Sequence, residues 1–194
     1  VGWVIGDVSG KGLPASLLMT SLVGALRAQT SAMCGNLSQT LGALNQFLFS
    51  ATESNRFATL FVGMYGKEDR ILEYINAGHN PPLIFRSGSN ERAVMRLDEG
   101  GPVLGVLPGA HYNSVRLQLE PADLVVLYTD GVVEAVNERG EEFGEDRLVA
   151  VARSSLAFSP QDFCDKTVAE MRRFRGAEEQ RDDVTLLAVK IQPS

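Results

Sequence analysis

Only two cysteines occur in the 194 residues, Cys34 and Cys164, and they lie far apart with no C-x-x-C pairing. That excludes the usual zinc and disulfide frameworks and points to two free thiols in a reducing, cytoplasmic setting. A basic excess is missing as well. The formal net charge of -6 disfavours nucleic acid, whose phosphates demand a basic face, and equally an anionic membrane surface. No apolar run approaches the roughly 20 residues needed to cross a bilayer, and no basic segment leads into an apolar signal core at the N-terminus. Internal repeats and low-complexity tracts are also lacking.

What is present has the make-up of a globular domain: 44% hydrophobic and 22% charged residues, sufficient to bury a core without staples. A single domain over residues 1–194 is expected. Val1-Gly2-Trp3-Val4-Ile5-Gly6 already reads as a buried strand with no lead-in, as in a domain truncated at its N-terminus and lacking its first strands.

Helices are predicted from Leu13 to Gln29, with Pro14 in the first turn where its missing N–H costs little, and from Leu37 to Ala51. Their apolar residues recur at helical spacing (Leu18, Leu22, Leu26; Leu41, Leu44, Leu48), which predicts antiparallel neighbours covering a core. Strands are predicted over Phe57–Tyr65, Ile71–Asn76, Leu83–Arg86, Val115–Leu119 and Leu124–Thr129, the last almost wholly apolar and therefore central. The Gly- and Pro-rich stretch from Ser87 to Gly109 reads as a long loop. Helices over Glu145–Arg153 and Pro160–Phe174 precede a last buried strand, Val184–Ile191. Strands grouped in the middle and helices at the ends indicate an α+β fold with antiparallel sheets covered by helices.

Three acidic positions each abut an apolar strand: Asp7 after Val4-Ile5, Asp130 after Val125–Tyr128, and Asp182-Asp183 before Val184–Leu187. A carboxylate at the end of a core strand is costly unless it is solvated, hydrogen-bonded or paired with a cation. Taken singly, each is readily explained as a turn or a cap. Together, three such ends would make the hard, oxygen-rich site that Mg²⁺ and Mn²⁺ prefer.

Four segments stand in order: G-D-V-S-G-K-G-L-P-A at Gly6–Ala15, N-A-G-H-N-P-P at Asn76–Pro82, L-Y-T-D-G-V-V-E-A at Leu127–Ala135, and R-D-D-V-T-L-L at Arg181–Leu187. In that order and spacing the chain resembles the SpoIIE branch of the PPM, or protein phosphatase 2C-like, superfamily. The resemblance implies an αββα sandwich of two mainly antiparallel sheets flanked by helices. It also implies two Mn²⁺ or Mg²⁺ ions and hydrolysis of phosphoserine or phosphothreonine in a protein by metal-activated water. By position, Asp7 matches the ligand bridging both metals, and the carbonyl of Val8 matches the backbone ligand beside it. Asp130 and Asp182 match the other ligands of the first metal, with Asp183 a second choice because adjacent carboxylates on a strand point to opposite faces. The catalytic set implied is Asp7, Asp130 and Asp182.

Two departures accompany the match. The family pattern places a further acidic ligand on strands preceding Asp7, so the shell of the second metal is incomplete here. Ser9 stands where eukaryotic relatives carry a histidine that protonates the leaving group, and a serine is a poor general acid. His79 is an acid/base candidate, but Asn-x-Gly-His-Asn-Pro also suits a tight hairpin, and the turn is the stronger reading. The loop around Lys11 misses the phosphate-loop spacing, so nucleotide binding is not expected. The two helices after Asp7 are core cover first and a regulatory switch second, because rotating the first would move Asp7.

The partners implied by the resemblance are a phosphorylated protein substrate, such as an anti-sigma-factor antagonist of a bacterial signalling pathway, and an upstream sensor or receiver domain. A homodimer is compatible with it. The alternatives are a phosphatase-like binding module without turnover and, more weakly, an aspartate-nucleophile phosphotransferase, against which neither Asp7 nor Asp130 opens a D-x-D pattern.

Overall fold

The computed structural model describes residues 1–29, 35–51, 56–86 and 94–192. In chain order the elements are β1 (Gly2–Val8), α1 (Leu13–Ala28), α2 (Leu37–Ala51), β2 (Ala58–Tyr65), β3 (Ile71–Ala77), β4 (Leu83–Phe85), β5 (Val94–Arg96), β6 (Gly100–Gly101), β7 (Val115–Gln118), β8 (Leu124–Tyr128), α3 (Asp130–Val133), α4 (Gly144–Arg153), α5 (Pro160–Arg175) and β9 (Leu186–Lys190). They fall into two compact units, Val1–His79 with Asp98–Gln118, and Asn80–Leu97 with Leu119–Ser194.

In the first unit β1, β2, β3 and β6 pair in that order, with β7 also on β3, and every pairing except β3 with β6 is antiparallel. The period-2 alternation of strands sorts the side chains of β2. Ala58, Leu60 and Val62 enter a core with Leu18 and Leu22 of α1 and Leu37, Leu41, Leu44 and Leu48 of α2. The other face of the same sheet is aromatic, with Trp3 stacked on Tyr65 and Phe61 on Tyr74. At the start of α2 the Asn36 side chain accepts from the Gln39 amide at 2.9 Å, satisfying one of the orphan donors of a helix end. Asn45, fully buried, donates to the Leu107 carbonyl at 2.8 Å and accepts from the Gly105 amide at 2.9 Å, which ties the loop after β6 to α2.

Two buried tyrosines of this unit make its alkaline stability predictable. Burial pushes the hydroxyls of Tyr74 and Tyr112 up to about 12, and for Tyr74 the charges of Glu99 and Asp98 add to it. The unfolded chain ionises its tyrosines near 10, so stability contributed by these groups is intact below that pH and is lost as pH rises towards 12. The Tyr112 hydroxyl, moreover, has no hydrogen-bond partner among the described residues. Tyr112→Phe is therefore expected to raise stability by about 1 kcal/mol and to flatten the loss above pH 10. Thermal unfolding between pH 8 and 12 checks both; a lower melting temperature for the variant at neutral pH would contradict the assignment.

In the second unit the order is β5-β4-β8-β9, antiparallel throughout. β8 is buried at all five positions, as its unbroken apolar run predicts. Phe143, Leu148, Phe163 and Met171 from the helical half close over it. Ser159 accepts from the Asp162 amide at 3.1 Å and Pro160 follows it, so α5 starts where the sequence signals a cap. Tyr128 donates to Glu145 at 3.2 Å, and Glu145 pairs with Arg96, joining β8, α4 and β5.

Several expectations shift. The stretch predicted as a loop carries β5 and β6, strands of three and two residues that exist because a neighbouring edge accepts them, not through their own propensity; residues 87–93 lie outside the described set. The last strand, β9, is half-buried and not buried, with Leu187 38% exposed, because it pairs with β8 alone and forms an edge. Asn76–Pro82 is not a hairpin: β3 belongs to one sheet and β4 to the other, so this segment is the crossing between units. Cys34 lies outside the described residues, while Cys164 is a free thiol that burial pushes up.

Candidate functional site

In the second unit, Asp130 follows the end of β8 and opens the short helix α3 in place of a simple turn. Thr129 fastens that end to the segment leading into β9. Its amide donates to the Thr185 carbonyl at 3.1 Å, its hydroxyl donates to the Asp183 carbonyl at 3.1 Å, and the same hydroxyl accepts from the Thr185 amide at 2.9 Å. Gly131 permits the approach, since a Cβ there would stand 2.3 Å from the Asp183 carbonyl oxygen, inside any van der Waals contact. Asp130 and Asp182 are thus brought close on two chain segments.

Each of these carboxylates is oriented by a backbone amide. Asp130 Oδ1 accepts from Gly131 at 2.8 Å, and Asp182 Oδ1 accepts from Asp183 at 2.9 Å. Two further acids join the group. The Glu134 carboxyl is raised above its ordinary value, first by burial and then by the negative charges of Asp130, Glu142 and Asp182. Glu134, Glu142 and Asp182 are exposed and Asp130 is half-buried, so solvent screens this field and the close pair is Asp130 with Asp182. Asp183 is exposed and contributes its carbonyl to Thr129.

In the first unit Asp7 lies within β1, paired in register with Thr59 of β2, and Val8 is the last residue of the strand. The turn after it is locked by Ser9, whose amide donates to the Phe57 carbonyl and whose hydroxyl accepts from the Phe57 amide, both at 2.9 Å. Ser9 is thereby occupied as a loop fastener.

The sequence-derived set is thus divided between the two units: Asp7 and Val8 in one, Asp130, Asp182 and Asp183 in the other. Among the described residues no three His, Cys, Asp or Glu side chains are grouped as a ready-made cage. Mg²⁺ and Mn²⁺ are nonetheless held by one or two carboxylates with several waters, and the all-oxygen pair Asp130 and Asp182 has that chemistry. Glu134, Thr129 and Thr59 were not singled out from sequence. Glu134 and Thr129 sit inside the L-Y-T-D-G-V-V-E-A segment and could have been; Thr59 carries no local signal, its place following from strand register alone.

Comparison with known proteins extends this geometry. A family model described as Stage II sporulation protein E (SpoIIE) matches residues 1–192. The chain is 31% identical to Protein IcfG of Synechocystis, covering 96% of this chain and 33% of that protein. It is 32% identical to Phosphoserine phosphatase RsbU of Bacillus subtilis, covering 70% and 40% respectively. The chain therefore spans about a third to two fifths of the length of these curated relatives. Among solved structures, the RsbU and RsbW domains of Rv1364c from Mycobacterium tuberculosis superpose with a TM-score of 0.79 at 30% identity, over 100% of this chain and 52% of that one. The PP2C phosphatase domain of SpoIIE from Bacillus subtilis gives 0.80 at 21% identity, over 98% and 54%, a likeness of fold.

Proposed function

The chain belongs to the SpoIIE family, and from that premise we propose that it is a metal-dependent protein serine/threonine phosphatase, with residues 1–194 acting as one catalytic domain. One observation carries the reading at the site itself: Gly131 packs against the Asp183 carbonyl and Thr129 bonds to it, which brings the segments carrying Asp130 and Asp182 together. Two carboxylates held on adjoining segments repel each other and are favoured around a cation.

In the second unit Asp130 and Asp182 are the residues that would hold Mn²⁺ or Mg²⁺, with Asp183 the second choice; in the first unit Asp7 and the Val8 carbonyl are the candidate ligands. The chemistry such an ion would supply when bound is a polarised water and charge neutralisation at the phosphoryl oxygens. The protein's own contribution is orientation. The Gly131 and Asp183 amides fix one oxygen of each carboxylate, and Thr129 keeps the two segments together. Ser9, bonded to Phe57 through both its amide and its hydroxyl, holds the turn that follows Asp7 and Val8.

The substrate class is a phosphoserine- or phosphothreonine-bearing signalling protein, an anti-sigma-factor antagonist by analogy with the branch, under control of an upstream sensor or receiver domain. Two ions are expected by the same analogy, and a homodimer is compatible with it. The test is release of inorganic phosphate from a phosphoserine protein by the full-length enzyme, with Mn²⁺ added and with Mn²⁺ chelated. Turnover that requires Mn²⁺ or Mg²⁺ is expected; binding of the phosphoprotein without turnover would instead favour a phosphatase-like binding module.

A further inference from the structure

We propose that His79 is a positioning residue for Asp7, acting through the hydroxyl of Thr59. The proposal rests on the reading of Asp7 as a metal ligand and adds to it two residues that hold that ligand in place.

Asp7 of β1 and Thr59 of β2 are register partners in an antiparallel pair. Directly opposed residues present their side chains on one face, with Cβ atoms about 4.5–5.5 Å apart. The flanking pattern agrees: Ala58 and Leu60 enter the helix-covered core, whereas Thr59 lies on the other face with Phe61 and Trp3. On that face the Thr59 hydroxyl meets His79 Nδ1 at 2.9 Å.

The His79 ring is delivered there by a closed turn. Asn76 holds its backbone at both ends, accepting from the His79 amide at 2.7 Å and donating to the His79 carbonyl at 3.0 Å. Gly78 between them has φ of 71°, and a Cβ on it would meet Val103 at 2.4 Å, so the turn has one conformation open to it. Asn76 is 2% exposed and His79 4%. A turn needed only to cross between sheets could be closed by Asn76 and Gly78 with any apolar residue at 79. Burying an imidazole is costly unless its nitrogens are used, and here one is used on the threonine opposite Asp7.

The consequence follows from hydrogen-bond inventory. A threonine hydroxyl has one proton and two lone pairs. We assign the tautomer with the proton on Nδ1. His79 Nδ1–H then donates to Thr59 Oγ1, and the hydroxyl proton is turned away from the ring and is left to donate to an acceptor on the same face, where Asp7 is the register partner. The N-A-G-H segment thus sets the rotor of a threonine, and the threonine sets a carboxylate. Outer-shell partners of this kind are worth about 10–100-fold in metal affinity.

The experiment is Mn²⁺ titration calorimetry on the full-length protein, metal-free at the start, paired with thermal unfolding without metal. Thr59→Val and His79→Phe are each expected to weaken Mn²⁺ binding by about 10-fold or more, and the double variant no more than the weaker single, because both break one relay. His79→Asn, whose amide can occupy the position of Nδ1, is expected to keep most of the affinity. If Thr59→Val and His79→Phe lower only the melting temperature while Asp7→Asn weakens Mn²⁺ binding, the relay is wrong and the phosphatase reading stands. If Asp7→Asn leaves Mn²⁺ binding unchanged, the metal reading fails and the relay with it. Should His79→Phe not fold, the near-isosteric Thr59→Val decides.

Discussion

Asp130→Asn is expected to lower Mn²⁺-dependent phosphate release by more than about 100-fold, since loss of a ligand exceeds the 10–100-fold typical of its supporting partners. The variant is also expected to fold as well as the parent or better. Asparagine retains the side-chain oxygen that accepts from the Gly131 amide at 2.8 Å, so the start of α3 keeps its local bond. What it removes is one negative charge from a group in which Asp130, Glu142 and Asp182 already push the Glu134 carboxyl upward. In the metal-free protein that removal relieves repulsion. Activity and metal-free stability should therefore move in opposite directions, or activity alone should fall, a combination that a merely structural aspartate would not produce. Phosphate release, Mn²⁺ titration and melting temperature measured on one preparation decide it. Turnover near the parent level in Asp130→Asn would sink the phosphatase reading.

The second large effect concerns a residue with no side chain. Gly131→Ala places a methyl 2.3 Å from the Asp183 carbonyl oxygen and 2.9 Å from its carbonyl carbon, both backbone atoms with little freedom to yield. Overpacking of this kind costs about 1–3 kcal/mol, and here the strain falls between the two segments that carry Asp130 and Asp182. Mn²⁺ affinity should drop by at least about 10-fold together with the melting temperature. Gly42→Ala supplies the contrast. Gly42 lies inside α2 with nothing within 4 Å of its virtual Cβ, so the same substitution should stabilise by about 0.5–1 kcal/mol through helix propensity. Equal responses from the two variants in thermal unfolding would mean that the approach of Gly131 to Asp183 is not close in solution.

Much of the fold is legible in the sequence. The two helices after Asp7 appear within a residue of their predicted ends, Leu13–Ala28 and Leu37–Ala51, because Pro14 and the spacing of their leucines are local signals. β8 was legible as a central strand from its apolar run, and Asp130 as a carboxylate at its end. β5 and β6 were not, because strands of two or three residues carry no period of their own. The hairpin reading of Asn76–Pro82 failed for a related reason. Asn, Gly and Pro announce that the chain turns but not which sheet receives the next strand, and β4 pairs with β8, not with β3.

The sequence by itself determined the inventory: α+β, acids at the ends of core strands, a histidine in a turn, and four ordered segments resembling the SpoIIE branch. Each of these depends on composition or on neighbours a few residues away. Tertiary structure decided the partnerships. Thr129 reaches Asp183 across 54 residues of chain, and Thr59 meets His79 across 20 and faces Asp7 across a strand pair. Alternation along a strand tells which face a side chain takes, but only the register between strands, set by how the whole sheet packs, tells what stands opposite it.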